Sequence, residues 1–84
     1  MDMRQLEIIK AIVETGSFTA AGEKLHVAQS AISRQVLLLE EELSEPVFYR
    51  IGRRVRITPT GDAILKLSNR VFQDVQDTLA LISD

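Results

Sequence analysis

The chain has no cysteine, one histidine and only two prolines among its 84 residues. Without cysteine it can form no disulfide and offers no thiolate ligand to a metal. A single histidine, His26, cannot build a metal site by itself, so we predict no metal and no other cofactor. No apolar run approaches the roughly 18 residues that a membrane span requires, and no signal-peptide pattern opens the sequence. These absences predict a cytoplasmic protein with no membrane association.

Enzyme signatures are missing as well. The sequence contains no glycine-rich phosphate loop followed by its lysine. Ser17, His26 and Asp62 are present, but no sequence pattern brings them together as a catalytic triad. We therefore predict a protein that is not an enzyme.

Charge is unevenly distributed along the chain. The formal net charge of −2 argues by itself against a nucleic-acid partner. The stretch from Pro46 to Ile57, however, carries four arginines and no acidic residue. A basic edge on an acidic body is compatible with phosphate binding, and a solvated charged loop is the evenly weighted alternative.

Two helices are predicted in the first 25 residues. The first runs from Met3 to about Glu14 and ends near Gly16, which suits the left-handed position after a helix. Ser17 is a good N-cap for a short second helix over Phe18–Leu25, whose small residues either allow close helix packing or simply favour helix. The inner stripe of the first helix is expected to comprise Leu6, Ile9 and Val13.

The stretch 28–43 is predicted to form a third helix with two unlike faces. One face is an apolar stripe, and the other carries short polar groups near its N-terminus. A short helix, a tight connection at 26–28 and a longer helix follow one another, which is the order of a helix-turn-helix. The second helix of that motif enters the major groove of DNA. The stripe consists of Ile32, Val36, Leu39 and Leu43.

A two-stranded wing and a long final helix are predicted after residue 43. Residues 47–50 and 55–57 resemble two short strands, joined by a turn at 51–54 that contains Gly52. Thr58 and Pro59 then suit the N-cap and the first position of a helix that continues to the end of the chain.

The predicted fold is mainly α: a winged helix-turn-helix of three helices plus a two-stranded β-wing, followed by a long linker helix. Its predicted domains are residues 1–58, which bind DNA, and residues 59–84, which form the linker and dimerisation helix.

The last helix carries an apolar stripe longer than a domain this small can cover. About 24 helical residues extend for roughly 36 Å. A second copy of the chain is the simplest partner for such a stripe, and packing wholly on its own domain is the alternative. The predicted dimer interface comprises Ile64, Leu67, Val71, Phe72, Val75, Leu79 and Ile82.

The sequence resembles the N-terminal DNA-binding region of LysR-type transcriptional regulators. The similarity covers nearly the whole chain and rests on several blocks that occur together in the family's order and spacing. They are GSFTAA at 16–21, LHVAQSAISRQ at 25–35, LEEEL at 39–43, PVFYR at 46–50 and TPTG at 58–61.

This resemblance implies a bacterial transcription factor that binds an interrupted inverted repeat in promoter DNA as a homodimer through its linker helix. The implied location is the bacterial cytoplasm, at the nucleoid when bound. The family's effector ligand would bind a C-terminal domain to which nothing here corresponds, so we expect a DNA-binding fragment. The alternative is a winged-helix module for protein interaction or dimerisation that does not bind DNA.

The expected DNA contacts fall into two groups. The major-groove set implied by the resemblance is Gln29, Ser30, Ser33 and Arg34. Gln29 can pair with adenine, and Arg34 with guanine or a phosphate. The alternative for Gln29 is a helix N-cap or first-turn residue that contacts no base, and the alternative for Arg34 is an ion pair with a glutamate such as Glu41. The phosphate and wing set is Ser17, Thr19, Arg50, Arg53 and Arg54, with Arg53 expected in a narrow minor groove.

Structural alternatives remain open within the phosphate and wing set. Ser17 and Thr19 are equally suited to pure helix capping. Arg50 is alternatively expected to form a salt bridge with one of the glutamates at 40–42.

The sequence departs from the family's common pattern at several positions. Ser30 replaces a frequent proline and adds a hydrogen-bonding group, and Ser44 replaces a usual glycine, which suggests local strain or a different helix ending. Leu37 and Leu38 replace residues that are often polar or basic. We expect them to contact another element or the linker helix.

Overall fold

The structure is a computed structural model, which describes residues 1–52 and 54–83. Four helices and one antiparallel pair of strands follow each other along the described chain. The two strands pair with Phe48 opposite Ile57 and Ile51 opposite Arg54. The predicted winged helix-turn-helix with a long final helix is confirmed. The elements are α1 (Met3–Thr15), α2 (Phe18–Leu25), α3 (Gln29–Leu43), β1 (Phe48–Ile51), β2 (Arg54–Ile57) and α4 (Pro59–Ile82).

Local capping groups define where the helices begin and end. Gly16 ends α1 with a φ of 84°, and the Ser17 hydroxyl accepts the Ala20 N–H at 3.0 Å to begin α2. Ser44 ends α3 in the left-handed region, at a φ of 55°, although it is not glycine. The strained ending expected at this position is therefore confirmed.

The core lies where α1, α2 and α3 meet, and α4 and the wing close it. The predicted stripe of α3 is confirmed, since Ile32, Val36 and Leu39 are buried and Leu43 packs at the edge of the core. The stripe predicted for α1 is only partly right. Leu6 and Ile9 are buried, but Val13 is 38% exposed because it lines an open crevice between the end of α1 and the wing. Ile8 and Ile12 are buried in addition.

The apolar stripe of α4 divides into two halves. Ile64 belongs to the core, and the hydroxyl of the fully buried Ser68 donates to the Leu6 carbonyl at 3.0 Å. Leu67, Val71 and Phe72 are partly buried against that core. The stripe then leaves the domain, and the exposed fraction rises to 43% at Val75, 59% at Leu79 and 73% at Ile82. The first half of the stripe on α4 therefore packs on its own domain, and the second half is exposed.

Leu37 and Leu38 were expected to contact another element or the linker helix. Their exposed fractions are 55% and 39%, and neither belongs to the apolar cluster that forms the core. The linker helix α4 packs mainly against α1. Within the described ranges, no helix has the length and apolar composition needed to cross a membrane.

Gly61 is the tightest contact between α4 and the wing, and it supplies the first prediction. A Cβ at this position would lie 2.7 Å from Ile57 Cγ1 and closer still to the Val47 carbonyl oxygen. Because a backbone carbonyl cannot rotate away as a side chain can, we expect Gly61→Ala to lower the free energy of unfolding by about 2–3 kcal/mol. Urea denaturation followed by circular dichroism measures the change. Asn69→Ala, on the exposed side of the same helix, is the control and should be nearly neutral. Equal stability of the two variants would contradict the packing described.

Candidate nucleic-acid interface

The N-terminal half of α3 presents the four residues predicted to contact bases. Gln29, Ser30 and Arg34 are exposed, and Ser33 is half-buried. Ala28 is the N-cap, so Gln29 occupies the first helical position instead of capping the helix. The Gln29 side-chain amide donates to the Ser33 hydroxyl at 3.0 Å, which orients both groups on one side of the helix.

Arg34 is exposed and forms none of the ion pairs found among the described residues. The ion pair with Glu41 that was its structural alternative is absent from the described residues. The guanidinium therefore keeps its fork of N–H donors available, and that fork matches the acceptor pair of guanine or the oxygens of a phosphate.

Arg50 extends from the wing across an aromatic ring. Its guanidinium carbon lies 4.2 Å from the centroid of Phe18, and the Phe18 ring in turn meets Phe48 edge-on, with centroids 5.8 Å apart. A cation held over a ring face is stabilised by the ring's quadrupole while its N–H groups remain directed outward. The alternative salt bridge to the glutamates of α3 is not found among the described residues. The sequence analysis missed Phe18 as a positioning residue for Arg50, because an aromatic after an N-cap serine indicates only core packing.

Glu40, one of those three glutamates, instead anchors the wing. Its carboxylate accepts the Val47 N–H at 2.7 Å. Thr58, at the other end of the hairpin, donates its hydroxyl to the Pro46 carbonyl at 2.7 Å and accepts the Gly61 N–H at 2.9 Å. These bonds hold both ends of the wing at a defined position beside α3.

Two open clefts result from this arrangement. The first, which we call the α3 cleft, has a volume of about 850 Å³ and lies between α3 and the start of the wing. All four predicted base-contacting residues line it, together with Leu37 and Glu40 of the same helix. The wing side is formed by Pro46, Phe48 and Arg50.

The second cleft, which we call the wing cleft, has a volume of about 380 Å³ and lies between the start of α2 and the wing. It brings together four of the five residues predicted to contact phosphates, Ser17, Thr19, Arg50 and Arg54. Ser17 also caps α2, so its structural alternative holds without excluding the other role. The remaining prediction, Arg53, lies outside the described residues. Phe18, Gln29 and Arg50 line both clefts, which therefore adjoin.

The described part of this surface contains no candidate metal site. Within residues 1–52 and 54–83, no group of three His, Cys, Asp or Glu side chains is placed to hold an ion. What the two clefts offer is a set of amide, hydroxyl and guanidinium groups, which suits base edges and phosphate oxygens.

Known proteins share both the sequence and this geometry. A family model described as "Bacterial regulatory helix-turn-helix protein, lysR family" matches residues 3–62. An HTH-type transcriptional regulator of Azotobacter vinelandii, from the ibpB-leuC intergenic region, is 42% identical over 78 residues, which are 93% of this chain and 54% of that protein. The chain thus spans about half the length of that relative.

Solved structures agree over the whole fold. The BenM DNA-binding domain in complex with benA site 1 DNA superimposes with a TM-score of 0.89 and 35% identity, covering 99% of this chain and 96% of that one. The CbnR DNA-binding domain in complex with DNA gives a TM-score of 0.87 and 31% identity, covering 99% and 95%.

The Glu40 anchor yields the second prediction. Val47 is fully buried, so Glu40→Ala leaves its N–H without an acceptor, which costs about 1–3 kcal/mol. We expect that loss in the free energy of unfolding, together with faster hydrogen exchange of the Val47 amide. Glu40→Gln should lose less, because its amide oxygen can still accept. The control is Glu41→Ala, which removes an exposed carboxylate from the same turn and should change neither quantity. Unchanged exchange at Val47 in Glu40→Ala would refute the anchor.

Proposed function

We propose that this chain, which belongs to the lysR family of bacterial regulatory helix-turn-helix proteins, binds promoter DNA sequence-specifically as part of a transcriptional regulator. The observation that carries the proposal is the convergence of the base-contacting and phosphate-contacting sets on two adjoining clefts. The two similar structures that were solved with DNA support the same partner. The role is regulatory and not catalytic, and its location is the bacterial cytoplasm, where promoter DNA lies.

In this proposal, α3 enters the major groove with its first two turns. Gln29 pairs with adenine through its amide, which both donates and accepts, and Arg34 pairs with the two acceptors of guanine. Ser30 and Ser33 are short enough to contact a base edge without holding the helix away from it. The bond between Gln29 and Ser33 supports this by orienting the amide before DNA arrives.

Phosphate contacts would flank the bases and fix the position of α3. The wing cleft supplies them through Ser17, Thr19, Arg50 and Arg54, aided by the free N–H groups at the start of α2. Arg53 is proposed to enter the minor groove, whose potential is most negative where it is narrow.

We further propose a homodimer formed through α4, which places two copies of α3 on the halves of an interrupted inverted repeat. Successive major grooves on one side of the duplex lie about 34 Å apart, or a multiple of that spacing. The exposed part of the stripe, Val75, Leu79 and Ile82, would form the interface, with Leu67, Val71 and Phe72 at its edge. Ile64 is buried in its own domain and cannot contribute. Residues 1–58 then bind DNA and residues 59–84 link and dimerise, with the first turns of α4 also closing the core.

A protein-interaction module without DNA binding is the second candidate, and two observations favour it. Leu37 and Leu38 are exposed on α3, and the chain as a whole is acidic. The salt dependence of binding distinguishes the two functions, because the release of counterions makes affinity for DNA fall steeply as the salt concentration rises.

An effector would bind in a further domain of the whole regulator.

Sequence preference provides the third prediction. Gln29→Ala and Arg34→Ala should each lower affinity for a selected site by about 5- to 150-fold, the range expected for one bidentate base contact, and should affect random DNA much less. Site selection from random duplexes followed by gel-shift titration measures both affinities. The matched control is Arg70→Ala, which removes an exposed arginine from α4, distant from both clefts. If the ratio of specific to random binding is unchanged in Arg34→Ala, the proposed base contact is wrong.

Assembly provides the fourth prediction. Leu79→Asp should shift the chain from dimer to monomer in sedimentation equilibrium, because it places a charge in the exposed apolar stripe. Leu81→Asp is the matched control: Leu81 is 78% exposed and lies about 100° or more around α4 from Val75, Leu79 and Ile82, so its variant should remain dimeric. A dimer of unchanged stability in Leu79→Asp would exclude this interface.

A further inference from the structure

Leu37 lies at the centre of the α3 face that carries the base-contacting residues. An α-helix turns about 100° per residue. Leu37 follows Ser33 by four residues and Arg34 by three, so its side chain lies one turn further along the helix, at an angle between those two side chains. Its side chain lines the α3 cleft with them and is 55% exposed. The face that carries the four polar residues therefore extends one more turn, and the side chain at that end is apolar.

The Leu37 side chain is more exposed than covered. Leu37 is neither in the core nor among the partly buried residues that pack on it. Single exposed leucines are common on protein surfaces, and that is the ordinary explanation. Leu37, however, lies in the same cleft as Gln29 and Arg34, the two residues proposed to pair with bases.

The chemistry of the major groove offers such a side chain one partner. Base edges there present hydrogen-bond donors and acceptors, which leucine cannot use, and a single apolar group, the 5-methyl of thymine. Leu37 is followed by Leu38, which is exposed but does not line the α3 cleft, by the buried Leu39 and by three consecutive glutamates at 40–42. Phosphates repel those carboxylates. Leu37 is thus the last residue on this face that the groove can accommodate.

We propose that Leu37 is a specificity-determining residue, which selects thymine by apolar contact with its 5-methyl group next to the bases contacted by Ser33 and Arg34. This inference rests on the proposed DNA-binding function. It adds a base preference that the polar residues of α3 do not supply, and it extends the contact surface one turn beyond Arg34.

Replacing thymine by deoxyuridine tests the contact directly, since the change removes only the methyl group. The probe is the duplex selected by this chain from random DNA, with each thymine of one half-site replaced in turn. Wild-type protein should lose about fourfold in affinity at one thymine, the value expected for one buried methyl-sized group. Leu37→Ala should bind the unmodified duplex about as weakly as wild type binds the modified one, and should lose nothing further at that thymine.

Leu38→Ala is the matched control. Leu38 is also exposed but does not line the α3 cleft, so this variant should keep the wild-type sensitivity to deoxyuridine. Leu37→Met, which keeps an apolar side chain of similar size, should retain most of it. Circular dichroism checks that each variant folds.

Three results would overturn the proposal. Wild type insensitive to every replacement, or Leu37→Ala as sensitive as wild type, would exclude the methyl contact while leaving DNA binding intact. Failure to select any duplex would instead remove the proposed function, and the role of Leu37 with it.

Discussion

The backbone of Val47 is the point on which the arrangement of the wing and of both clefts depends. Its N–H donates to the Glu40 carboxylate of α3, and its carbonyl accepts the Thr58 N–H at 3.1 Å. The single hydrogen of the Thr58 hydroxyl is shared between the Pro46 carbonyl at 2.7 Å and the Val47 carbonyl at 3.1 Å. The same carbonyl lies against Gly61 of α4 so closely that a Cβ there would overlap it. Helix α3, the hairpin and α4 are therefore joined at one fully buried residue. An unsatisfied buried backbone group is costly, so these bonds define one relative position of the three elements.

That position has a direct consequence for the charged groups of the wing. Once β1 begins at a defined point beside α3, alternation along the strand directs Phe48 and Arg50 to the same face. Phe48 meets the Phe18 ring, and Arg50 lies over it. One aromatic residue of α2 thus orients a cation of the wing, and the cation borders both clefts. Long arginine side chains lose entropy when they bind, and an arginine already held over a ring has less to lose.

Features specified by neighbours in sequence were predictable, and those specified by distant neighbours were not. Ser17, the Thr58–Pro59 pair and the period of the α3 stripe are local signals, and they predicted the helices nearly to the residue. Val13 and Leu37 have the apolar character of packed residues, but what lies opposite each of them depends on where the wing and α4 pack. Glu40 as the acceptor of Val47 was equally invisible, because three successive glutamates look alike in sequence. The base and phosphate contacts stay predictions, since their partner is outside the chain.

The acidic net charge and the proposed phosphate contacts are reconciled by where the ion pairs form. Within residues 1–52 and 54–83, the pairs engage the N-terminus, Arg4, Lys24 and Lys66, and none engages Arg34, Arg50 or Arg54. Among those residues, the arginines that line the clefts thus keep their charge unpaired, as do Lys10, Arg56 and Arg70 elsewhere. Because screening at physiological salt limits exposed charges to a range of about 8 Å, the field met by a phosphate depends on the groups that line the clefts, which are these arginines and Glu40, more than on the net charge of the chain. Net charge is thus a poor guide to a partner in so small a domain, where one acidic face and one basic face can lie within about two Debye lengths of each other.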